Sequence, residues 1–165
     1  MFVAEKASIT GVTVAAGEIS AVTGTTPFVR VDAELDSVHW NQKESQVGLN
    51  NSKFENVIDF NVVPPSAATN TFLKALSDGS PCGLFAIIID GNGKCWLVGY
   101  NETDLLNRPL RKIEEDSDTG TSPSDEAGQT AKVKLGNECG GRALPFDTTL
   151  TAAIIGGTST IVKWT

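Results

Sequence analysis

The sequence has few of the residues on which common catalytic and metal sites depend. It contains one histidine, His39, and three cysteines, Cys82, Cys95 and Cys139, with no Cys-x-x-Cys pair. This set argues against a zinc site or a disulfide framework, so we expect reduced thiols, no metal and no cofactor. A Ser–His or Cys–His pair would have to use His39, which lies beside Trp40 at a predicted strand end. We interpret it as a surface residue and expect no enzymatic activity.

Long hydrophobic runs are also missing. The longest, Leu84 to Ile89, has six residues, whereas a transmembrane helix needs about 20. The sequence therefore predicts no membrane anchor. The first residues, "MFVAEKASITG", place Glu5 and Lys6 where a secretory signal would be apolar. We therefore expect a complete, unexported chain made in the cytoplasm.

Basic residues are outnumbered, with 13 Lys and Arg against 20 Asp and Glu and a net charge of −7. Only Arg108, Arg111 and Lys112 lie close together. Because proteins grip nucleic acid mainly through Lys and Arg on phosphates, this composition argues against a DNA-gripping surface. It leaves open an acidic surface past which DNA slides without binding.

What the sequence does contain is a series of short β-rich segments punctuated by glycine and threonine, in 165 residues that are 40% apolar. This length and composition predict one domain over residues 1–165. The segment "KFENVIDFNVVPP" alternates most clearly, and we expect one of its faces in a core and the other facing outward. The first face carries Phe54, Asn56, Ile58, Phe60 and Val62, and the second carries Lys53, Glu55, Val57, Asp59 and Asn61.

One helix is predicted after Pro65, with Ser66 as its N-cap and Gly79 just past its end. The final segments "LTAAIIGG" and "TIVKWT" are predicted to be strands, residues 39–52 a strand end followed by a polar loop, and 116–128 a flexible loop. The predicted fold is mainly β, a sandwich or split barrel with one short α-helix packed on it.

The stretch "IIIDGNGKCWLVGYN" could hold a phosphate, a dinucleotide or a cation at its Asp-Gly-Asn-Gly core. None of the three motifs is complete, because each needs other residue types at key positions. Those positions are occupied here by Ile88 and Cys95 for the phosphate loop, Trp96 for the dinucleotide motif, and Lys94 and Asn101 for the cation loop. Asp, Asn and Gly instead suit the positive φ angles of a tight turn, and apolar strands flank them. We predict a hairpin turn. The acidic run 114–116 is likewise interpreted as a solvated surface.

The order of these elements resembles the tail tube proteins of long-tailed phages and prophages, particularly those of Bacteroides-type bacteria. The resemblance runs from Phe54 to Ile155 and rests on "FENVIDFNV", a short helix ending "LKALSDG", the hairpin "LFAIIIDGNGKCWLVGY" and "DSDTGTSPSDEAGQTAKVKLGNE". The undivided 39–52 segment and the insertion "NETDLLNRPL" depart from the expected pattern.

The resemblance implies a virion structural protein, made in the host bacterial cytoplasm and located in the tail. Its copies would form rings, of six subunits in this family, that stack into a hollow tube beside other tail proteins, and DNA would pass without specific binding. The candidate lumen-facing residues are Lys53, Glu55, Asp59 and Asn61. The candidate subunit-interface residues are Ile87, Ile89, Trp96 and Val98. The candidate stacking-loop residues are Asp116, Asp118, Asp125 and Glu126.

Three other functions remain open from the sequence. The two departures could mark a capsid decoration, head–tail connector or terminator protein. A mainly β domain without a catalytic constellation could also be a soluble ligand-binding β-sandwich, for example for carbohydrate. An enzyme would need a site that the sequence does not display.

Overall fold

The computed structural model describes residues 1–31, 33–34, 36–48, 51–62, 67–79, 82–118 and 130–163. The strands are β1 Phe2–Glu5, β2 Ile9–Ala15, β3 Glu18–Gly24, β4 Phe28–Arg30, β5 His39–Gln46, β6 Ser52–Val62, β7 Leu84–Ile89, β8 Cys95–Val98, β9 Arg111–Asp118, β10 Thr130–Cys139, β11 Leu144–Pro145 and β12 Val162–Lys163. The helices are α1 Ala67–Gly79 and α2 Thr148–Ile155, with a short 3-10 turn at Lys6–Ser8.

The described strands form three sheets. A six-stranded sheet has the order β11-β8-β7-β1-β4-β12, and a four-stranded sheet has the order β5-β6-β10-β9. The third sheet is the hairpin β2–β3. All neighbouring strands are antiparallel except β4 and β12. The fold is mainly β, as the sequence predicted.

The six-stranded sheet lies in the middle because both of its faces are apolar. One face meets the four-stranded sheet and α1 in a first core that includes Ile58, Phe60, Leu76 and Ile88. The other face meets β2–β3 and α2 in a second core. Ile87 in the second core and Ile88 in the first are both buried. This explains why "LFAIII" is apolar at every position rather than alternating.

A second helix, α2, replaces one predicted strand, so the prediction of a single helix was wrong. The carboxylate of Asp147 caps α2, accepting a bond from the Leu150 backbone N–H at 2.7 Å. Gly156 and Gly157 end the helix. Asp-Thr-Thr before an alanine-containing stretch is a helix-start signal, and it outweighs the β preference of Ile154 and Ile155. No described helix has the length and apolarity to cross a bilayer.

Residues 39–46 form the strand β5, whereas the sequence had predicted mostly loop there. The strand pairs along its whole length with β6, from His39 opposite Asp59 to Gln46 opposite Ser52. Five consecutive side chains, from Lys43 to Val47, are exposed. The strand therefore lacks the apolar alternation by which sequence patterns reveal strands, because β5 lies at the edge of its sheet.

The β2–β3 turn places an alanine in a strained conformation. Ala16 has φ 53° and Gly17 has φ 79°, the left-handed pair that suits Asn-Gly in two-residue hairpins. We expect Ala16→Asn to raise the free energy of unfolding by about 0.5–1 kcal/mol, measured by urea denaturation. Ala15→Asn, one residue earlier in the extended strand, is the control. Equal stability of wild type and Ala16→Asn would contradict the prediction.

Candidate functional site

The four-stranded sheet presents one polar surface, which we call the polar sheet face. On β6 the buried side chains are Phe54, Asn56, Ile58, Phe60 and Val62. The candidate lumen-facing residues Lys53, Glu55, Asp59 and Asn61 alternate with them and lie on the opposite, solvent-accessible side. The predicted two-faced alternation of this strand is confirmed. Whether the outer side lines a lumen stays a prediction.

The polar sheet face is close to electrically neutral. Among the charged side chains that the structure describes, the strand registers bring five basic and five acidic ones to this face. The basic side chains are Lys43, Lys53, Arg111, Lys132 and Lys134, and the acidic ones are Glu55, Asp59, Glu114, Asp116 and Glu138. Most of the net charge of −7 therefore resides elsewhere on the chain, and the candidate lumen residues do not form an acidic patch.

Lysines on this face are held by carboxylates. Lys134 Nζ lies 3.1 Å from Glu114 and 3.7 Å from Asp59, and Lys53 Nζ lies 2.6 Å from Glu138. The hydrogen bond and the charge of Glu114, together with the charge of Asp59, raise the pKa of Lys134 above its ordinary value. Lys53 and Lys134 thus have local counterions, and a phosphate would have to displace a carboxylate to reach either of them.

Both edges of the four-stranded sheet are strands of eight residues, β5 and β9. No other strand among the described residues pairs with their outer sides. The backbone N–H of Val47 bonds to Asn51 O at 2.7 Å, so the odd-numbered residues of β5 bond toward β6 and the even-numbered ones point outward. The sheet therefore ends in a row of outward backbone groups at Trp40, Gln42, Glu44 and Gln46.

The candidate subunit-interface residues divide into two kinds. Ile87 and Val98 are 0% exposed, so the chain's own cores cover them and they offer no surface to a partner. That part of the prediction was wrong, because Ile87 lies in the second core, beneath α2 and β2–β3, and Val98 lies in the first core, facing the four-stranded sheet. Ile89 and Trp96 are half-buried. Trp96 also packs against Trp40 across the two sheets, with ring centroids 5.5 Å apart.

The stacking-loop residues divide in another way. Asp116 belongs to β9 and is exposed, opposite Lys132 of β10. Asp118 is the last residue of β9 and pairs with Thr130. Asp125 and Glu126 lie outside the described residues, as does most of the predicted 116–128 loop. The loop thus begins at least three residues later than predicted.

The residues 90–94 form a tight turn, as predicted. Asp90 Oδ1 accepts bonds from the backbone N–H groups of Asn92 and Lys94, both at 2.9 Å. Asp90 Oδ2 accepts the Trp96 indole N–H at 3.0 Å, and Lys94 pairs with Glu18 at 3.0 Å. Through these contacts the turn joins the β7–β8 hairpin to the tip of β2–β3.

The hydrogen bonds to the Asp90 carboxylate lower its pKa. The bond from the Trp96 indole has the largest effect, and the bond from the Lys94 backbone N–H has the next largest. A carboxylate with a depressed folded-state pKa stabilises the fold above its unfolded pKa and loses that contribution as pH falls through the folded value. We expect Asp90→Asn to cost about 1 kcal/mol at pH 7 and less below about pH 4. Unfolding curves at pH 7 and pH 3 test this, with Glu102→Gln as the control. If the variant's loss in free energy of unfolding relative to wild type were as large at pH 3 as at pH 7, this prediction would be contradicted.

The candidate catalytic side chains do not converge. Glu114 bonds Lys134 on the polar sheet face, whereas Glu115 bonds Lys112 at 2.6 Å on the helix side of the sheet. His39 is exposed and lies opposite Asp59. The cysteines are free thiols, with Cys82 exposed and two buried. Desolvation raises the pKa of the two buried thiols, Cys95 and Cys139, which reduces their nucleophilicity.

Sequence reasoning placed Asn56 among the core-facing residues but did not find its role. Asn56 is 1% exposed. Its Oδ1 accepts from Gln42 Nε2 at 2.9 Å and Trp40 Nε1 at 3.3 Å. Its Nδ2 donates to Asn137 Oδ1 at 3.0 Å and Cys139 Sγ at 3.4 Å. An asparagine in the apolar row of a strand was the only signal, and it now marks a polar junction across β5, β6 and β10.

Comparison with protein-family models, with curated proteins and with solved structures found no match to this chain.

Proposed function

We propose that this chain is a structural subunit of a hollow phage tail tube, assembled from stacked rings through which DNA passes. One observation carries the proposal: the four-stranded antiparallel sheet ends in two eight-residue strands whose outer sides have no strand partner among the described residues. Long open edges invite pairing with another chain, and here both belong to the sheet with one polar face.

The directions of the two edge strands suit a ring. Neighbouring strands in the order β5-β6-β10-β9 are all antiparallel, so β5 and β9 run in opposite directions. A β9 edge laid beside β5 of the next copy is then antiparallel as well. Such a contact joins two different surfaces, which closes into a ring when the rotation allows it. The sheets would merge into one continuous barrel.

Barrel size follows from the number of copies. The resemblance implies six, which gives 6 × 4 = 24 strands from the four-stranded sheet. With a strand spacing of about 4.8 Å and a tilt of about 40°, the backbone diameter is roughly 48 Å. Barrels of about 16–18 strands already hold an aqueous channel. A lumen of this size has room for duplex DNA after inward side chains are counted.

The polar sheet face is the side that would line this lumen. Its other side is committed to the first core through Ile58, Phe60 and Val133. Six copies carry 6 × −7 = −42 charges in total, but the polar sheet face itself is balanced. In this proposal DNA slides past because carboxylates pair with Lys53 and Lys134, and the negative charge elsewhere on the chain contributes a weaker, longer-range repulsion.

Negative-stain microscopy and sedimentation velocity of the purified, concentrated protein test the proposal. Stacked rings or tubes with a central channel are the expected result. Isolated closed rings that never stack would favour a decoration or connector protein instead. A protein that remains monomeric up to millimolar concentration would contradict ring assembly and favour a ligand-binding β-sandwich.

Charge reversal tests the lumen assignment. Glu55→Lys with Asp59→Lys makes the polar sheet face more positive by four charges per subunit, or 6 × 4 = 24 charges per ring of six. We expect the tubes to form but to retain duplex DNA at least tenfold more tightly than wild type in low salt, with the difference shrinking as salt rises.

The matched control is Asp78→Lys with Glu102→Lys, two exposed positions outside the sheet that change the chain's charge by the same amount. DNA retention on assembled tubes is measured by co-sedimentation, and virion infectivity provides a second measurement. Equal DNA retention by the two double variants would place the polar sheet face outside the lumen.

A further inference from the structure

The hairpin β2–β3 has a second open edge of a different character. β3 is attached to the body of the molecule through Ile19, which bridges to Phe146 and whose carbonyl accepts from Asp147 N at 2.9 Å. β2 pairs only with β3, and no strand among the described residues lies on its outer side. Seven residues, Ile9–Ala15, therefore present one side of their backbone outward.

The β2 edge lacks the features that protect exposed strands from pairing. The six-stranded sheet, for comparison, ends in two-residue strands, one of which contains Pro145. β2 reads Ile-Thr-Gly-Val-Thr-Val-Ala, with no charge and no proline. The two shifts in register between β2 and β3 increase the twist of the hairpin but place no charge on the β2 edge. Uncharged strands of this length are templates for strand addition.

The side chains of β2 also permit another strand to come close to its outer edge. Ile9 is buried, and Val12 and Val14 pack toward the second core. The exposed side chains of β2 are small: Thr10, Thr13 and Ala15. The one charge in the hairpin, Glu18, is paired with Lys94 at 3.0 Å. An incoming strand thus meets backbone groups and small side chains with little desolvation cost.

We propose that the outer edge of β2 is an interface that receives an extended strand from a second copy of this chain. Copies that each carry −7 charges repel one another, and the uncharged β2 edge lets two copies meet without adding a local repulsion to this one. This contact goes beyond the ring proposed above, which uses only β5 and β9. It would link copies of neighbouring rings or hold two copies together before a ring closes.

Hydrogen exchange of the amides in residues 10–15, at micromolar and at near-millimolar protein concentration, tests this interface. We expect protection to rise at least tenfold with concentration in wild type. Thr13→Lys, which places a charge on the edge, should remove that rise. Thr160→Lys makes the same charge change at an exposed turn and should keep it. The measurement is repeated with Glu44→Pro, which blocks the β5 edge.

Protection that rises with concentration in the Glu44→Pro variant supports the β2 interface whether or not rings form. Protection that is equal at both concentrations in wild type, or that survives Thr13→Lys, overturns it. Failure of the tail-tube proposal appears separately, as the absence of rings in micrographs of wild type.

Discussion

Replacing Glu44 with proline is expected to lower the fraction of assembled rings by at least tenfold while the chain stays folded. The even-numbered residues of β5 direct their N–H groups outward, away from β6. Proline at position 44 therefore removes a donor from the proposed contact and places its ring in the path of the neighbouring β9. No β5–β6 ladder bond is lost, so the monomer keeps its sheet.

Two matched variants separate the edge effect from other consequences. Glu44 also pairs with Arg142 at 2.8 Å, and Glu44→Ala removes this pair while keeping the backbone N–H, so it should assemble like wild type. Ser45→Pro removes a bond toward β6 and should lower the stability of the monomer itself. Sedimentation velocity measures assembly, and circular dichroism measures folding. Wild-type rings in Glu44→Pro would show that β5 is not a ring contact.

Asn56→Leu is expected to lower the free energy of unfolding by about 2–4 kcal/mol, because it leaves several buried polar groups without a hydrogen-bond partner. Leucine has the branched shape of asparagine and the same number of side-chain heavy atoms, but it neither accepts from Gln42 and Trp40 nor donates to Asn137. Among the described residues every buried side-chain nitrogen and oxygen has a hydrogen-bond partner. For a domain of this size the midpoint of thermal unfolding should fall by roughly 5–15 °C.

The control for this substitution is Asn41→Leu. Asn41 is exposed on the polar sheet face, opposite Val57, so its replacement should change stability by no more than about 0.5 kcal/mol. Chemical denaturation of both variants provides the measurement. A loss below about 1 kcal/mol for Asn56→Leu would mean that water or rotated side chains satisfy the network without Asn56.

The sequence predicted several elements because their patterns are local. The alternation from Phe54 to Val62 identified β6 and its two faces, and the residues Asp90 to Lys94 identified a turn. Both predictions depend on neighbours in the chain: side chains alternate across any extended strand, and Asp, Asn and Gly stabilise tight turns wherever they occur.

Other elements depended on neighbours distant in sequence. β5 has no apolar pattern and is a strand because β6 lies beside it. The isoleucines of "LTAAII" favour strand, yet Asp147 caps a helix there and Ile154 is buried in the second core. Ile87 and Val98 looked suited to a partner chain, but the second core covers Ile87 and the first core covers Val98.

The sequence alone determined a mainly β chain, one two-faced strand, a tight turn at residues 90–94 and an excess of acidic over basic residues. Only the tertiary structure decided which strands lie at edges, that the polar sheet face balances its charges, and that Asn56 joins three strands. The physical reason is that edge position, charge pairing and burial are relations between residues far apart in sequence. Periodicity and turn chemistry are properties of a few consecutive residues.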